Sequence, residues 1–193
     1  MHRQPARVLK PEDVRLLLEH VEGRRYCERN RVIILLSFKA GLRACEISGL
    51  QWPMVLATDH QVDDTITITG SIAKMGSGRR IPTHKQLNLA LRELHQAFGK
   101  PSKGYVVQSQ RGGRMTAGSI VNWFTTLYRE LDLNGCSSHS GRRTFITLSA
   151  RLLAKTGGSL RDIQELAGHR ALTTTERYIA GDLDAQPRLI ALI

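Results

Sequence analysis

The chain has few cysteines and no long apolar run, and both absences restrict what the protein can be. Its three cysteines, Cys27, Cys45 and Cys136, are an odd number without paired spacing, so neither a disulfide framework nor a CxxC zinc site is expected. No apolar stretch approaches the roughly 20 residues that cross a bilayer. The first residues include basic side chains but no apolar segment behind them, unlike a signal peptide. We therefore expect a cytoplasmic protein.

Acidic residues are also scarce relative to basic ones. The 193 residues include 28 Lys and Arg against 17 Asp and Glu, which gives a net charge of +11. Such an excess favours a polyanionic partner, most simply nucleic acid, although a generally basic protein would have the same total. The triplet Gly-Arg-Arg occurs at residues 23–25, 78–80 and 141–143, so any basic surface must be assembled by folding. With 41% hydrophobic residues, the chain can bury the core of one domain.

The pattern of apolar residues predicts a mainly α fold with one small antiparallel β-sheet. Apolar positions repeat at helical spacing through most of the chain, whereas Ile66 and Ile68 alternate with threonines as in a strand. The Gly-Ser-Gly at residues 76–78 indicates a turn before a return strand. Helix starts with a capping pattern are predicted at Thr83 with Gln86, Ser159 with Asp162, and Thr173 with Glu176.

The stretch HSGRRTF contains a possible anion site. His139 and Arg142 are three residues apart at the predicted start of a helix, so both side chains project from its first turn. Backbone N–H groups and the helix dipole also favour an anion there. Taken alone, this stretch also fits a histidine that caps the helix and an arginine in solvent.

Two further stretches, and Lys74 outside them, carry ionisable groups with both a structural and a chemical interpretation. In GLRACEISGL, Arg43 follows an apolar helix and can pair with Glu46, either structurally or so as to leave one edge of the guanidinium for a ligand. In LAGHRALTTTERYI, His169 could interact with a helix dipole and Tyr178 could pack its ring. Lys74, beside the predicted turn, could be solvated or could donate a proton.

Together these side chains provide several cations, a proton donor and a nucleophile. That combination suits attack on a phosphodiester, because cations neutralise the charge that develops on the phosphorus oxygens. A phenol with an ordinary pKa near 10 becomes competent once such cations stabilise its phenolate.

The three stretches resemble the boxes of the tyrosine recombinase (phage integrase) family. That family has an ordered set of Arg, Lys, His-x-x-Arg, His or Trp, and Tyr, and an acidic residue three after the first arginine, which Glu46 matches. The resemblance implies the DNA breaking-rejoining catalytic fold and these catalytic residues: Arg43, Lys74, His139, Arg142, His169 and Tyr178.

The resemblance also implies a role for each residue. Tyr178 would attack the scissile phosphate and leave a 3′-phosphotyrosyl link, while Lys74 would protonate the departing 5′-oxygen. The two arginines of the set would clamp the non-bridging oxygens, and its two histidines would hydrogen-bond to the phosphate and assist proton movement. Because the covalent link retains the bond energy, neither ATP nor a metal cofactor is expected.

The resemblance further suggests an organisation and partners. We expect a catalytic domain over residues 1–181, with no room for a separate N-terminal DNA-binding domain, and a tail over residues 182–193 that docks in cis or on a neighbouring subunit. The expected partner is double-stranded DNA, bound by a homo-tetramer that is weakly associated or monomeric without DNA, with possible accessory DNA-bending factors. Candidates for DNA phosphate contact are Arg79, Arg80, Arg114 and Arg143.

One departure from the family pattern and two other functions remain. Gly141 stands where the second box often has leucine, which is expected to loosen local packing. A type IB topoisomerase-like enzyme would use the same chemistry to relax supercoils. A non-catalytic accessory protein would bind DNA on the same fold without forming a covalent product.

Overall fold

The structure, a computed structural model, describes residues 5–73, 76 and 78–179. Within these ranges the chain forms eight α-helices, one 3₁₀ turn at Trp52–Met54 and two β-strands. The helices are α1 (Pro11–Glu22), α2 (Cys27–Lys39), α3 (Ala44–Gly49), α4 (Lys85–Ala97), α5 (Ala117–Glu130), α6 (Ser140–Thr156), α7 (Leu160–Ala167) and α8 (Leu172–Ile179), and the strands are β1 (Thr65–Ile68) and β2 (Arg79–Pro82).

The two strands form the predicted antiparallel pair. Ile66 lies opposite Ile81, and Ile68 lies opposite Arg79. All three isoleucines are buried, since alternate residues of a strand share one face. The mainly α fold with a small antiparallel sheet is therefore confirmed, and the pairing places Arg79 at the start of the return strand.

Helix α2 lies at the centre of the main hydrophobic core. Its residues from Val32 to Leu36 are completely buried, as expected of a helix that is apolar nearly all round. Helices α1, α4 and α6 pack around it. The start of α6, which carries Arg142, is thereby held against the most buried element of the molecule.

The last three helices share a smaller core of their own. Ile146 of α6 packs with Ile163 and Ala167 of α7, and Tyr178 of α8 joins the edge of this cluster. The tyrosine is thus positioned by packing among α6, α7 and α8 rather than by the main core.

One of the three predicted helix starts is confirmed and two are wrong. Ser159 caps α7, with its backbone N–H donating to the Asp162 carboxylate at 2.7 Å. Helix α4 is capped instead by His84, whose Nδ1 accepts from the backbone N–H of Gln86 at 3.1 Å. Helix α8 begins at Leu172, one residue ahead of Thr173, and its first turn closes with the Thr174 N–H donating to the Ala171 carbonyl at 3.1 Å.

The expectation that Gly141 loosens local packing is wrong. A Cβ added at this position would clash with Ser37 Oγ and approach the Phe38 ring within 3.0 Å. Both neighbours belong to α2, so the missing side chain lets α6 lie directly against the central helix. The glycine tightens the contact that holds the start of α6.

Some predictions concern residues that the structure does not describe. Lys74 and the tail at residues 182–193 lie outside the described ranges. Among the residues that are described, no helix combines the length and apolar character that crossing a membrane requires.

Candidate active site

A buried carboxylate organises the site. Glu46 of α3 is 0% exposed, and it accepts hydrogen bonds from the Arg43 backbone N–H at 2.8 Å and from Arg43 Nη1 at 3.1 Å. Burial acts to raise the pKa of Glu46, but hydrogen bonds and charge from Arg79 and Arg43 outweigh burial and hold that pKa below its usual range. The predicted Arg43–Glu46 pair therefore exists as a charged pair.

Arg79 is a second cation bound to Glu46, and it connects the β-hairpin to helices α3 and α7. Its Nη1 and Nη2 donate to the two Glu46 oxygens at 2.8 and 3.1 Å, and its Nε donates to the Leu166 carbonyl at 2.8 Å. The side chain is only 6% exposed. Arg79 was predicted as a candidate phosphate contact. The structure places it instead within a buried charge cluster that Glu46 forms with its arginine partners.

Arg142 brings a further buried cation to the same place. It is 3% exposed and donates to the Gly41 carbonyl at 2.7 Å and to the Ala167 carbonyl at 2.6 Å. Burial, followed by repulsion from Arg43, lowers the pKa of Arg142 to about 10, which leaves it charged at neutral pH. The Leu166 and Ala167 carbonyls end α7, so two guanidinium groups bind the negative end of that helix dipole.

His169 follows directly from this helix end. Gly168 ends α7 in the left-handed conformation with φ of +62°, and the next residue, His169, turns into the molecule and is 7% exposed. Its Nδ1 lies 2.9 Å from Thr175 Oγ1 on α8. Burial, and after it the positive charge of Arg142 and the neighbouring arginines, lowers the pKa of His169 to about 4. The imidazole is therefore neutral at physiological pH.

Tyr178 lies beside this histidine. The two rings stack, with centroids 5.5 Å apart and an interplanar angle of 25°. The guanidinium carbon of Arg143 lies 5.7 Å from the centre of the Tyr178 ring, within the range of a cation–π contact. Tyr178 is half-buried and borders an open cavity of about 670 Å³.

His139 reaches the same cavity from the start of α6. It is exposed, and its side chain makes no capping hydrogen bond, so the capping role that the sequence left open is not observed. Together with Arg143 and Tyr178, it lines the cavity of about 670 Å³. The two predicted residues of the HSGRRTF stretch therefore lie in different surroundings. Arg142 lies inside the charge cluster, whereas His139 faces the cavity.

The other two candidate phosphate contacts lie on different parts of the surface. Arg80 is exposed on β2 and lines a cavity of about 450 Å³ that also includes His169. Arg114 is exposed as well, and its Nε donates to Ser48 Oγ of α3 at 2.8 Å. Five residues of the predicted catalytic set are described, and folding brings them together from separate parts of the chain: Arg43, His139, Arg142, His169 and Tyr178. Arg114 is held elsewhere, against α3.

Sequence reasoning missed two contacts within the site. The first is the Arg79–Glu46 pair, which joins a strand to a helix far away in the chain and therefore leaves no local spacing signal. The second is the contact between Thr175 and His169. A helical signal for it was available, because Thr175 lies three residues before Tyr178 and so on the same face of the helix.

Curated proteins with similar sequences are recombinases. Tyrosine recombinase XerC of Mesorhizobium japonicum is 31% identical over 194 residues, which cover 93% of this chain and 58% of that protein. Tyrosine recombinase XerC of Pelobacter propionicus is 29% identical over 168 residues, which cover 84% of this chain and 51% of that protein. The chain therefore spans little more than half the length of these relatives.

Solved structures of the same fold come from recombinases and integrases. The XerA recombinase superposes with a TM-score of 0.77 at 20% identity, covering 98% of this chain and 66% of that chain. A Tn1549 transposon integrase in complex with transposon right end DNA superposes with a TM-score of 0.74 at 20% identity, covering 97% of this chain and 66% of that chain. The expected recombinase catalytic fold is confirmed. The family model of the phage integrase family matches residues 7–183, a range that includes every residue of the site, and the chain belongs to this family.

Proposed function

We propose that this chain is the catalytic domain of a site-specific tyrosine recombinase, which cleaves and rejoins duplex DNA through a covalent bond to Tyr178. The observation that carries the proposal is the arrangement around Glu46: Arg43 and Arg142 lie near a neutral His169, against which the Tyr178 ring stacks. The XerC relatives are named tyrosine recombinases, which supports the same activity.

The charge cluster suits a phosphodiester. Arg43 keeps 20% of its side chain exposed, and Glu46 holds only part of its guanidinium. Arg142 likewise has more N–H donors than its two carbonyl contacts use. Because these cations are fixed before DNA binds, they stabilise the charge that develops on the phosphate oxygens without reorganisation.

The covalent step transfers the phosphoryl group between two oxygens. The Tyr178 phenolate oxygen forms a bond to phosphorus as the bond to the 5′-oxygen breaks. The phenol proton leaves toward His139, which lines the same cavity as Tyr178, and Lys74 supplies a proton to the 5′-oxygen. Rejoining is the reverse reaction with a 5′-hydroxyl of the same or another strand, so the phosphodiester is conserved and no external energy source enters the balance.

The proposed substrate is double-stranded DNA. The net charge of +11 favours phosphate contacts, which we assign to the exposed Arg80, Arg114 and Arg143 and which would make binding strongly salt-dependent. A lambda integrase, which superposes with a TM-score of 0.65 at 19% identity, is a dimer bound to a COC′ core site. We propose that this protein also acts as an assembly of several copies on DNA, a tetramer when two sites recombine.

The test is covalent capture on nicked duplexes. A nick next to the cleaved bond lets a short fragment diffuse away, which prevents rejoining and traps the protein on the DNA. The purified protein is incubated with a pool of nicked duplexes of varied sequence, and adducts that survive denaturation are counted and sequenced. Wild-type protein and the control Tyr105→Phe should give adducts, whereas Tyr178→Phe should give none.

The other outcomes identify the alternatives. Equal adduct from Tyr178→Phe would remove this residue as the nucleophile. DNA retention without any adduct would indicate a non-catalytic DNA-binding protein. Adduct formation with supercoil relaxation but no exchange between two sites would indicate a topoisomerase-like enzyme.

A further inference from the structure

The Thr175 hydroxyl binds a ring nitrogen of His169 inside the molecule. Thr175 Oγ1 lies 2.9 Å from His169 Nδ1. Thr175 is 0% exposed and His169 is 7% exposed, so water does not compete for this contact as it would at the surface. The bond connects the residue after the end of α7 with the helix that carries Tyr178.

The backbone of His169 is fixed independently of this bond. Its N–H donates to the Gln164 carbonyl at 3.0 Å, and its own carbonyl accepts from Gln164 Nε2 at 3.0 Å. With the main chain held on both sides, the remaining freedom is the orientation of the ring and the position of its proton. The hydroxyl on α8 acts on these two properties.

Because the His169 ring is neutral, its one N–H proton can lie on either ring nitrogen, and the choice decides what each nitrogen can bind. Burial and the nearby arginines keep the ring neutral at physiological pH, and a neutral imidazole has one nitrogen that donates and one that accepts. Within the described part of the chain we find no hydrogen-bond partner for Nε2. Whichever role Nδ1 takes with Thr175 therefore sets the opposite role for Nε2.

We propose that Thr175 donates its hydroxyl proton to Nδ1 of His169 and so holds the ring in the tautomer whose Nε2 carries the hydrogen. Nε2–H then donates to an oxygen of the DNA phosphate, which suits a site built from cations, whereas a lone pair at Nε2 would repel that oxygen. Thr175 is thus a positioning residue that acts through His169. This inference rests on the proposed function only in assigning the phosphate as the group that Nε2 binds.

The same bond aligns Tyr178 with the histidine. Thr175 lies three residues before Tyr178, and residues at this spacing share one face of a helix. Helix α8 is also held to α6, because Thr147 Oγ1 donates to the Tyr178 carbonyl at 3.4 Å. In this position of α8, the Thr175 contact with His169 and the stacking of Tyr178 on His169 occur together.

Two substitutions at this position separate the hydroxyl from the packing. Thr175→Val has nearly the same shape but no hydroxyl, and Thr175→Ser keeps the hydroxyl but loses a methyl group. If the bond acts through His169, Ser should retain function and Val should not. If Thr175 only fills space, Val should be the better replacement.

The first measurement is the tautomer itself, which does not depend on DNA cleavage. Nitrogen-15 NMR of the histidine-labelled 193-residue chain, with His169 assigned by its loss in His169→Gln, distinguishes a protonated Nε2 from a protonated Nδ1. Wild type and Thr175→Ser should show the Nε2–H form, and Thr175→Val should show a mixture. A protonated Nδ1 in the wild type, or the same tautomer in all three proteins, would overturn the proposal.

The second measurement is the rate of adduct formation on nicked DNA. The loss of one hydrogen bond of ordinary strength predicts a decrease of about 3- to 10-fold for Thr175→Val. In a His169→Ala background the same change should cause no further decrease, because non-additivity shows that one residue acts through the other. An equal decrease in both backgrounds would contradict this route. If the wild type forms no adduct at all, the proposed function fails while the NMR result still decides the tautomer.

Discussion

Arg79 and Glu46 form a bidentate ion pair in the interior of the molecule, with nitrogen–oxygen distances of 2.8 and 3.1 Å. The pair joins the first residue of β2 to α3, and Arg79 Nε continues the connection to the end of α7 at Leu166. Glu46 also binds Arg43. One carboxylate thus fixes two arginines relative to each other.

Removing the charge of Glu46 should destabilise the fold and inactivate the site. Glu46→Gln leaves the buried Arg79 and the partly exposed Arg43 without their anion, and breaking a buried pair in this way costs about 3–5 kcal/mol. The free energy of unfolding, measured in urea, checks this value. The control Glu165→Gln breaks an exposed pair with Arg161 and should change the free energy by less than about 1 kcal/mol. Equal effects from both variants would contradict the role given to Glu46.

Substitution of the two adjacent arginines of β2 should affect different properties, namely stability for Arg79 and DNA binding for Arg80. Arg79→Gln should lower stability by about 3–5 kcal/mol, since it removes one partner of a buried pair. Arg80→Gln should leave stability within about 0.5 kcal/mol but reduce the salt dependence of DNA binding by about one counterion. Urea unfolding and binding titrations at several salt concentrations measure the two effects. A salt dependence that changes only in Arg79→Gln would exchange the two roles.

Protonation of His169 should destabilise the protein in mild acid. The pKa of His169 falls from an ordinary 6.5 to about 4 in the folded state, so between these values the unfolded chain binds a proton that the folded chain does not. This contribution to stability is fully present above pH 6.5 and is lost as the pH falls toward 4. Urea unfolding across this range should show a shallower dependence in His169→Gln. The exposed His60→Asn should keep the wild-type dependence, and a wild-type dependence in His169→Gln would show that other groups cause it.

Two glycine-to-alanine substitutions should have different effects on the free energy of unfolding. Gly141→Ala places a methyl group against Ser37 and Phe38 of α2, and overpacking of this kind costs about 1–3 kcal/mol. In Gly118→Ala, on α5, the nearest atom to the added group is Thr116 Oγ1 at 4.0 Å. That change should be neutral or stabilise the helix by up to about 1 kcal/mol. Thermal unfolding compares the two variants, and a stabilised Gly141→Ala would show that α6 and α2 separate easily.

Local patterns in the sequence predicted those features that depend on neighbours in the chain. The Arg43–Glu46 pair spans three residues, Ser159 caps the helix that follows it, and the alternation of Ile66 and Ile68 produces a strand. Predicted helix starts were wrong where neighbouring residues could also cap the helix. At Thr83, for example, the adjacent His84 provides the capping atom instead. Gly141 was misinterpreted because its importance depends on a helix distant in sequence.

The sequence by itself determined the helical periods, the small hairpin, the excess of positive charge and the kinds of side chain that a phosphodiester reaction needs, because spacing and composition follow from the order of residues. Only the tertiary structure decided which cations share Glu46, that His169 is neutral, and that Thr175 contacts a nitrogen of its ring. These properties depend on burial and on contacts between residues far apart in the chain. A charge or a proton equilibrium changes in response to the groups that folding places around it, and no local pattern records those groups.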